Sequence, residues 1–149
     1  MHVIFVIGRV ALVVIFIISG AQKLIDYSGT ATYMAAKIPI SADVKALTAQ
    51  LEAMTSLSTH QLLAIVAGVV EFAGGLLIAF NVGTRWVAAV LVLFTVAATY
   101  YFHDFWNMTG PDQMNNLVQA QKNLSIAGGL LMLVALGSRQ LFIPPERLE

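Results

Sequence analysis

The sequence LLAIVAGVVEFAGGLLIAF, from Leu62 to Phe80, decides the fold: it is nineteen residues long and Glu71 is its only charge. An α-helix rises 1.5 Å per residue, so a helix of this length crosses the ~30 Å hydrocarbon core of a bilayer. Glu71 is the tenth of the nineteen residues and is therefore expected near the midplane. A carboxyl group there costs roughly 2.5–3.5 kcal/mol on insertion scales, so we expect it to face protein or water and to have a partner.

The composition of the whole chain is also that of an integral membrane protein. The 149 residues are 58% hydrophobic and 11% charged, whereas soluble domains carry about 25% charged residues. This balance predicts a lipid bilayer as the environment. The formal net charge is zero, which gives no support for a nucleic-acid partner. The chain has no cysteine, which excludes thiol catalysis, thiolate metal sites and iron–sulfur clusters.

Four segments have the character of membrane spans, and we predict helices at about residues 3–24, 62–80, 86–102 and 117–137. Trp86 begins the third, and it and the aromatic residues near the other end of that segment are typical interfacial anchors. The fourth is apolar only from Leu124 and reaches spanning length by including polar residues from about Asn116. These segments predict a single all-α membrane domain over residues 1–149, built as a four-transmembrane-helix bundle.

The first connection contains a predicted amphipathic helix at about residues 41–57. Apolar residues recur there at helical spacing, with polar residues on the other side: Val44, Leu47, Leu51 and Met54. Such a helix lies on the membrane face or caps the bundle, and a simple surface lid is the alternative.

The N-terminal segment shares one feature with a secretory signal peptide. Ser19, Gly20 and Ala21 are small residues suited to cleavage. However, no basic residue precedes the apolar stretch and Arg9 falls inside it. We therefore predict a retained helix.

Helical spacing indicates which way Glu71 points. Ala64, Gly68 and Gly75 share its face, and faces of small residues let membrane helices pack closely. Gly68 and Gly75 are therefore predicted to pack helices together, and so are Gly128 and Gly129 in the fourth segment.

The polar residues of the four segments predict one intramembrane cluster, composed of Glu71, Lys122, Arg9, Lys23, His103 and Asn123. Lys122 is the expected partner of Glu71, and Arg9 is the second choice. Glu71 as a purely structural ion pair and Lys122 as a lysine snorkelling to the interface remain open alternatives. His103 with Asp104 is a weak metal signal, so an interfacial polar pair is predicted and no metal site.

Taken together, these residues resemble the DoxX family of small four-helix membrane proteins. The resemblance covers most of the chain and depends on the order of its motifs more than on any one of them. The matching motifs are Gly8-Arg9, Ser19–Leu24, Glu71–Leu77, Gly83–Arg85, His103–Trp106, and Gln121–Leu124 running into Gly128–Leu131. Residues 41–59 form a longer first connection than is usual in the family, so no lid or partner surface is carried over from shorter members.

The resemblance implies a protein of the bacterial cytoplasmic (inner) membrane. Some members of the family are associated with thiosulfate:quinone oxidation or with redox defence complexes, which implies quinone as a ligand. The missing cysteines argue against direct sulfur chemistry in this chain, and no ligand set for a cofactor is evident.

Three functions fit the sequence, and it does not decide whether the chain is an enzyme. The first is a membrane subunit of a quinone-linked oxidoreductase, in which Glu71 and Lys122 bind the quinone headgroup and His103 and Trp106 shape the entrance. The second is a non-catalytic accessory or scaffold subunit of a larger membrane complex. The third is a small-molecule or lipid binder that works as a homo-oligomer.

Overall fold

The computed structural model describes residues 2–137, and within that part all regular structure is helical. The six α-helices are α1 (His2–Ile25), α2 (Tyr27–Ala35), α3 (Ala42–Thr55), α4 (Thr59–Ala79), α5 (Thr84–Phe102) and α6 (Gly110–Leu136), with a 3₁₀ turn at Phe105–Asn107. The predicted all-α class is confirmed for these residues. We predicted five helices, four spans and one loop helix, whereas residues 2–137 form six. Three of the six are long and apolar enough to cross a membrane: α1, α4 and α5.

Local sequence signals define where the helices begin and where the chain turns between them. The Asp26 side chain accepts the Gly29 amide and starts α2 directly after α1. Ser58 and Gln61 form a reciprocal capping box at the start of α4. Asn81 and Gly83 both have positive φ, at 62° and 58°, and make the tight turn into α5. Short connections of this kind hold consecutive helices side by side.

The α1 and α4 helices run antiparallel and touch along most of their length. A Cβ atom on Gly20 would overlap the backbone of Gly68 and Phe72, and one on Gly75 would lie 2.7 Å from Cγ1 of Ile17. The glycines therefore let the two backbones approach more closely than larger residues would allow.

The α5 and α6 helices form a second antiparallel pair. Asn123 contacts Thr99 near one end of α5, and Gly137 lies close to Arg85 at the other end. Residues 120–137 of α6 therefore lie level with α5. The helix begins at Gly110 and not near residue 117 as predicted, because Pro111 occupies its first turn and needs no amide partner there.

Side chains from the long helices form the main core. Its fully buried residues are Val13, Ile78, Ala88, Leu91 and Leu130. The α4 and α6 helices have no Cα atoms within 8 Å of each other. The interior surface of α6 therefore meets α5 and a small part of α1.

The first connection adds two helices to one end of the bundle. In α2, Ala31 and Met34 are buried against Ala64 and Ala67 of α4. In α3, no residue is buried, and the four apolar residues predicted to face the membrane or to cap the bundle are all exposed. A helix does form at the predicted place, but its apolar side chains pack against no core among residues 2–137.

Candidate functional site

Glu71 lies in the α1–α4 interface, and its side chain is paired with a lysine. The residue is 6% exposed, and its Oε2 lies 2.7 Å from Nζ of Lys23. The Ser19 hydroxyl lies 3.3 and 3.4 Å from the two carboxylate oxygens and donates to the carboxylate. Lys23 also donates to Oγ of Ser19, so the three side chains form one closed polar group.

The geometry of α1 explains how Lys23 reaches this position. Ser19 and Lys23 are four residues apart and so lie on one face of the helix. Side chains on a helix incline towards its N-terminus, so Lys23, near the end of α1, extends back into the bundle. Gly20 brings the α1 backbone against α4 beside Glu71. The lysine charge and the serine hydroxyl together offset the cost of burying the carboxylate.

The predicted pairing of Glu71 with Lys122 is wrong. Lys122 is exposed on α6, and α6 does not approach α4. The sequence places both residues in membrane segments, but it does not show which segments are neighbours. Ser19 was missed as a site residue, although its spacing from Lys23 was a readable signal.

Arg9, the second predicted partner, lies at the opposite end of α4. Its Nη2 donates to the carbonyl of Ala79 at 3.3 Å, and its guanidinium lies 5.8 Å from the ring centroid of Phe5. The last carbonyls of a helix have no partner within the helix, and a cation there also interacts favourably with the helix dipole. Arg9 therefore binds the C-terminal end of α4 and does not contact Glu71.

The remaining polar residues form separate contacts, so the single predicted cluster is divided. A ring nitrogen of His103 lies 3.1 Å from Oδ1 of Asn116, and Asp104 pairs with Lys37 at 3.3 Å. His103 and Asp104 are therefore bonded to different elements and not to each other. Within residues 2–137, no three His, Asp or Glu side chains are grouped as a metal site would require.

A cleft of ≈ 260 Å³ lies between α5 and α6, beside the 3₁₀ turn. Asn123 donates to Thr99 at 3.0 Å, and the Thr99 hydroxyl donates to the carbonyl of Thr95 at 2.7 Å. These residues place a small polar surface in a mainly apolar wall. The Tyr100 and Trp106 rings, with centroids 5.9 Å apart, form its aromatic side.

The four predicted packing glycines do not behave alike. Gly68 packs against Leu24, Gly75 against Ile17, and Gly129 against Leu12. In contrast, a Cβ atom on Gly128 would meet nothing within 4 Å. Gly128 is therefore not a packing residue within the described part of the chain.

Comparisons with known proteins also indicate a membrane protein. The DoxX family model matches residues 4–104, which is more than half of the chain. The chain is 33% identical over 138 residues to the inner membrane protein YphA of Escherichia coli, covering 91% of this chain and 84% of the relative. It is 30% identical over 131 residues to the inner membrane protein YqjF of the same organism, covering 88% and 82%.

No solved structure matches the chain. The family model and both relatives agree with the three apolar helices long enough to cross a bilayer. The chain belongs to the DoxX family and is an integral protein of the inner membrane.

Proposed function

We propose that this protein is a non-catalytic accessory subunit that supplies a rigid helical platform to a larger membrane complex. The observation that carries the proposal is the closed group formed by Glu71, Lys23 and Ser19. The carboxylate that marks the centre of the sequence is already satisfied by α1. Its position favours a role in holding α1 and α4 in register.

A relay or a headgroup site at Glu71 would need room for a substrate or for water. Glu71 is 6% exposed, and close glycine contacts with α1 lie on either side of it along α4. The cleft described above is lined by α5, α6 and Trp106 and does not include Glu71. Chemistry at Glu71 would therefore require the α1–α4 contact to open.

The test replaces both members of the pair, so that no charge is left without its partner. We expect the K23M/E71L double variant to assemble and to complement a deletion strain, because well-packed apolar residues can replace a buried ion pair. The Gly20→Leu variant should fail, because its side chain meets the α4 backbone. Assembly is followed by native electrophoresis of solubilised membranes.

Two results would overturn the proposal. One is a double variant that assembles at the wild-type size but does not complement, which would assign chemistry to the pair. The other is a wild-type chain that migrates alone in membranes of its own host.

We further propose that α6 is a fourth membrane-spanning helix. Its residues 120–137 lie level with α5, and 18 residues at 1.5 Å each give about 27 Å. Four spans put both ends of the chain on one side of the membrane, whereas three put them on opposite sides. Reporter fusions at residue 1 and residue 149 distinguish the two topologies.

A quinone-linked role is the second candidate, and the cleft is the observation that favours it. The Asn123 carboxamide has a donor and an acceptor for a quinone and its reduced form, and Trp106 supplies a ring for stacking. The site considered for this role is therefore the α5–α6 cleft, because Glu71 is paired with Lys23 and Lys122 is exposed on α6.

Tryptophan fluorescence provides the test, because the chain has two tryptophans: Trp86 in the first turn of α5 and Trp106 in the 3₁₀ turn beyond its other end. In the W86F variant, Trp106 is the reporter beside the cleft, and W106F is the matched control. We expect quinone added to nanodiscs to quench Trp106 saturably and Trp86 only in proportion to its concentration. Equal and unsaturated quenching of both would exclude the cleft as a quinone site.

A further inference from the structure

The hydrogen bonds in the α5–α6 cleft have a direction that its own side chains determine. The Thr99 hydroxyl donates its single proton to the carbonyl of Thr95, 2.7 Å away. It therefore meets Asn123, 3.0 Å away, as an acceptor, so the Asn123 carboxamide presents its NH₂ group to Thr99. This order leaves the other end of the carboxamide, the oxygen Oδ1, on the side away from Thr99.

Oδ1 of Asn123 is an acceptor that the described part of the chain does not satisfy. Within residues 2–137, the hydrogen bond to Thr99 is the one that the Asn123 side chain makes. The oxygen also keeps accessible surface, because the fully buried side-chain polar atom without a partner in that range is Nε of Arg9. Asn123 lines the cleft, so an occupant of the cleft that carries a donor would satisfy this oxygen.

The remaining walls of the cleft favour an uncharged aromatic group. No charged side chain lines the cleft among the residues that the structure describes, and a charged head would enter it without a counter-ion. The Tyr100 and Trp106 rings lie 5.9 Å apart between centroids, and aromatic rings stack favourably on each other. The occupant is therefore expected to be neutral and to carry a ring.

The size and position of the cleft fit the head of a lipid. Its lining on α6 runs from Ala120 to Ala127, which is about 10 Å along the helix. A cavity of about 150 Å³ holds benzene, so ≈ 260 Å³ has room for one substituted ring. Val96 and Leu124 at the edge of the cleft are exposed apolar residues. A long apolar chain attached to the ring can therefore leave between them into the bilayer.

We propose that the α5–α6 cleft selects an uncharged lipid with a phenolic head, and so binds the reduced, hydroquinone form of a quinone in preference to the oxidised form. The phenolic hydroxyl donates to Oδ1 of Asn123, and the ring lies against Trp106. An oxidised quinone has acceptor oxygens only and leaves Oδ1 without a donor, while the NH₂ group is already held by Thr99. This preference rests on the quinone-linked role proposed above for the same cleft and adds the redox state that is bound.

Three ligands that share one ring and one chain provide the test: a benzoquinone carrying a decyl chain, its hydroquinone, and the dimethyl ether of that hydroquinone. The ether is the matched control, because it keeps the ring and the chain without a hydroxyl proton. Each is titrated under argon into nanodiscs that contain the W86F variant, and the saturable change in Trp106 fluorescence gives Kd. The W106F variant corrects for absorption and emission by the ligand itself. We expect the hydroquinone to bind about tenfold more tightly than the other two, the effect of one good hydrogen bond.

Two variants of the polar pair, each made in the W86F background, test the cause of this preference. Thr99→Val removes the acceptor that orients the carboxamide, so Asn123 can present either end to the ligand and the preference should fall to about twofold or less. In the T99V/N123L double variant no polar group of the pair remains, and the three ligands should bind alike. A hydroquinone preference that survives in the double variant would overturn the proposal.

The outcomes separate failure of the redox preference from failure of the cleft as a quinone site. Saturable binding of the three ligands with equal Kd would overturn the preference and leave the quinone-linked role standing. Unsaturated changes with all three would overturn both. A diacylglycerol is the last ligand, because it is neutral but carries an aliphatic hydroxyl. Displacement of the hydroquinone by diacylglycerol at equal concentration would identify an aliphatic alcohol as the occupant and overturn the choice of a phenol.

Discussion

Lys23 extends back along α1 to Glu71 on α4, where its Nζ lies 2.7 Å from Oε2 of the carboxylate. The lysine comes from the end of α1 and the glutamate from the middle of α4, so the pair fixes how far each helix is shifted along the other. Ser19 joins the pair by donating to the carboxylate and accepting from the lysine. The contact is thus an ion pair that also fixes the register of two membrane helices.

Removing one member of this pair should lower the free energy of unfolding more than removing both members. Glu71→Ala leaves the Lys23 ammonium without its counter-ion, and we expect a loss of about 3 kcal/mol, at the lower end of the range for breaking buried pairs, because the Lys23 side chain is 23% exposed. The K23M/E71L protein should lose much less. Reversible unfolding in lipid bicelles measures both, and similar losses in the two proteins would contradict this expectation.

Much of the helical framework could be predicted because its signals are local. The apolar runs that predicted spans at 3–24, 62–80 and 86–102 are found as α1, α4 and α5, with ends within a few residues. The nine-residue α2 was not predicted, because only Ala31 and Met34 are buried and no repeating apolar pattern results. Local patterns therefore identify long membrane helices better than short ones.

The choice of partner for Glu71 could not be predicted in the same way. Lys23 and Lys122 both lie near the ends of predicted spans, and helical spacing alone gives each a face that could point inward. What decides between them is that α4 packs along α1 and has no Cα atom within 8 Å of α6. That is a property of the packed bundle and not of any one segment. Lys23 was among the predicted polar residues, but its pairing depended on tertiary structure.

The closest approach of α1 and α4 should be sensitive to a single methyl group. Gly20→Ala places a Cβ atom onto the backbone of Gly68 and Phe72, and backbone yields less readily than side chains. We expect a loss of about 3 kcal/mol or more in stability, at the upper end of the cost of overpacking. Thermal unfolding of this variant and of the unchanged protein in one detergent measures the loss.

Gly8→Ala is the matched control for this change. Gly8 lies in the same helix, and a Cβ atom there meets nothing within 4 Å. We expect it to be neutral or to stabilise by about 0.5–1 kcal/mol, because alanine is the better helix former. Equal losses from the two substitutions would show that the helices do not approach at Gly20 as described.

The attachment of α3 should weaken in acid. A hydrogen bond from the Thr59 hydroxyl lowers the pKa of Glu52 below its ordinary value of 4.5, and the Thr59 amide and Lys45 act in the same direction. Because the folded-state pKa is depressed, this contribution to stability is present above pH 4.5 and is lost as the pH falls through the folded pKa. Amide exchange at Thr59 should therefore accelerate in that acidic range.

Two variants distinguish the titration of Glu52 from other effects of acid on amide exchange at Thr59. Glu52→Gln keeps the shape of the side chain without the titratable charge, so its exchange rate should lack the acid-dependent step. Thr59→Val removes the hydroxyl that contributes most to the shift, so the step should move to higher pH. An unchanged acid-dependent step in both variants would assign it to a different group.

Asn123 and Thr99, the polar pair beside the cleft, should depend on each other in their contribution to stability. Asn123 donates to the Thr99 hydroxyl at 3.0 Å, so Thr99→Val leaves the carboxamide without that acceptor in mainly apolar surroundings. We expect a loss of about 1 kcal/mol, the lower part of the range for an unsatisfied buried polar group, because Asn123 is only partly buried. In the T99V/N123L double variant both polar groups are absent and most of that stability should return. A double-mutant cycle measures the coupling, and additive losses would mean that the hydrogen bond does not contribute to the stability of the α5–α6 pair.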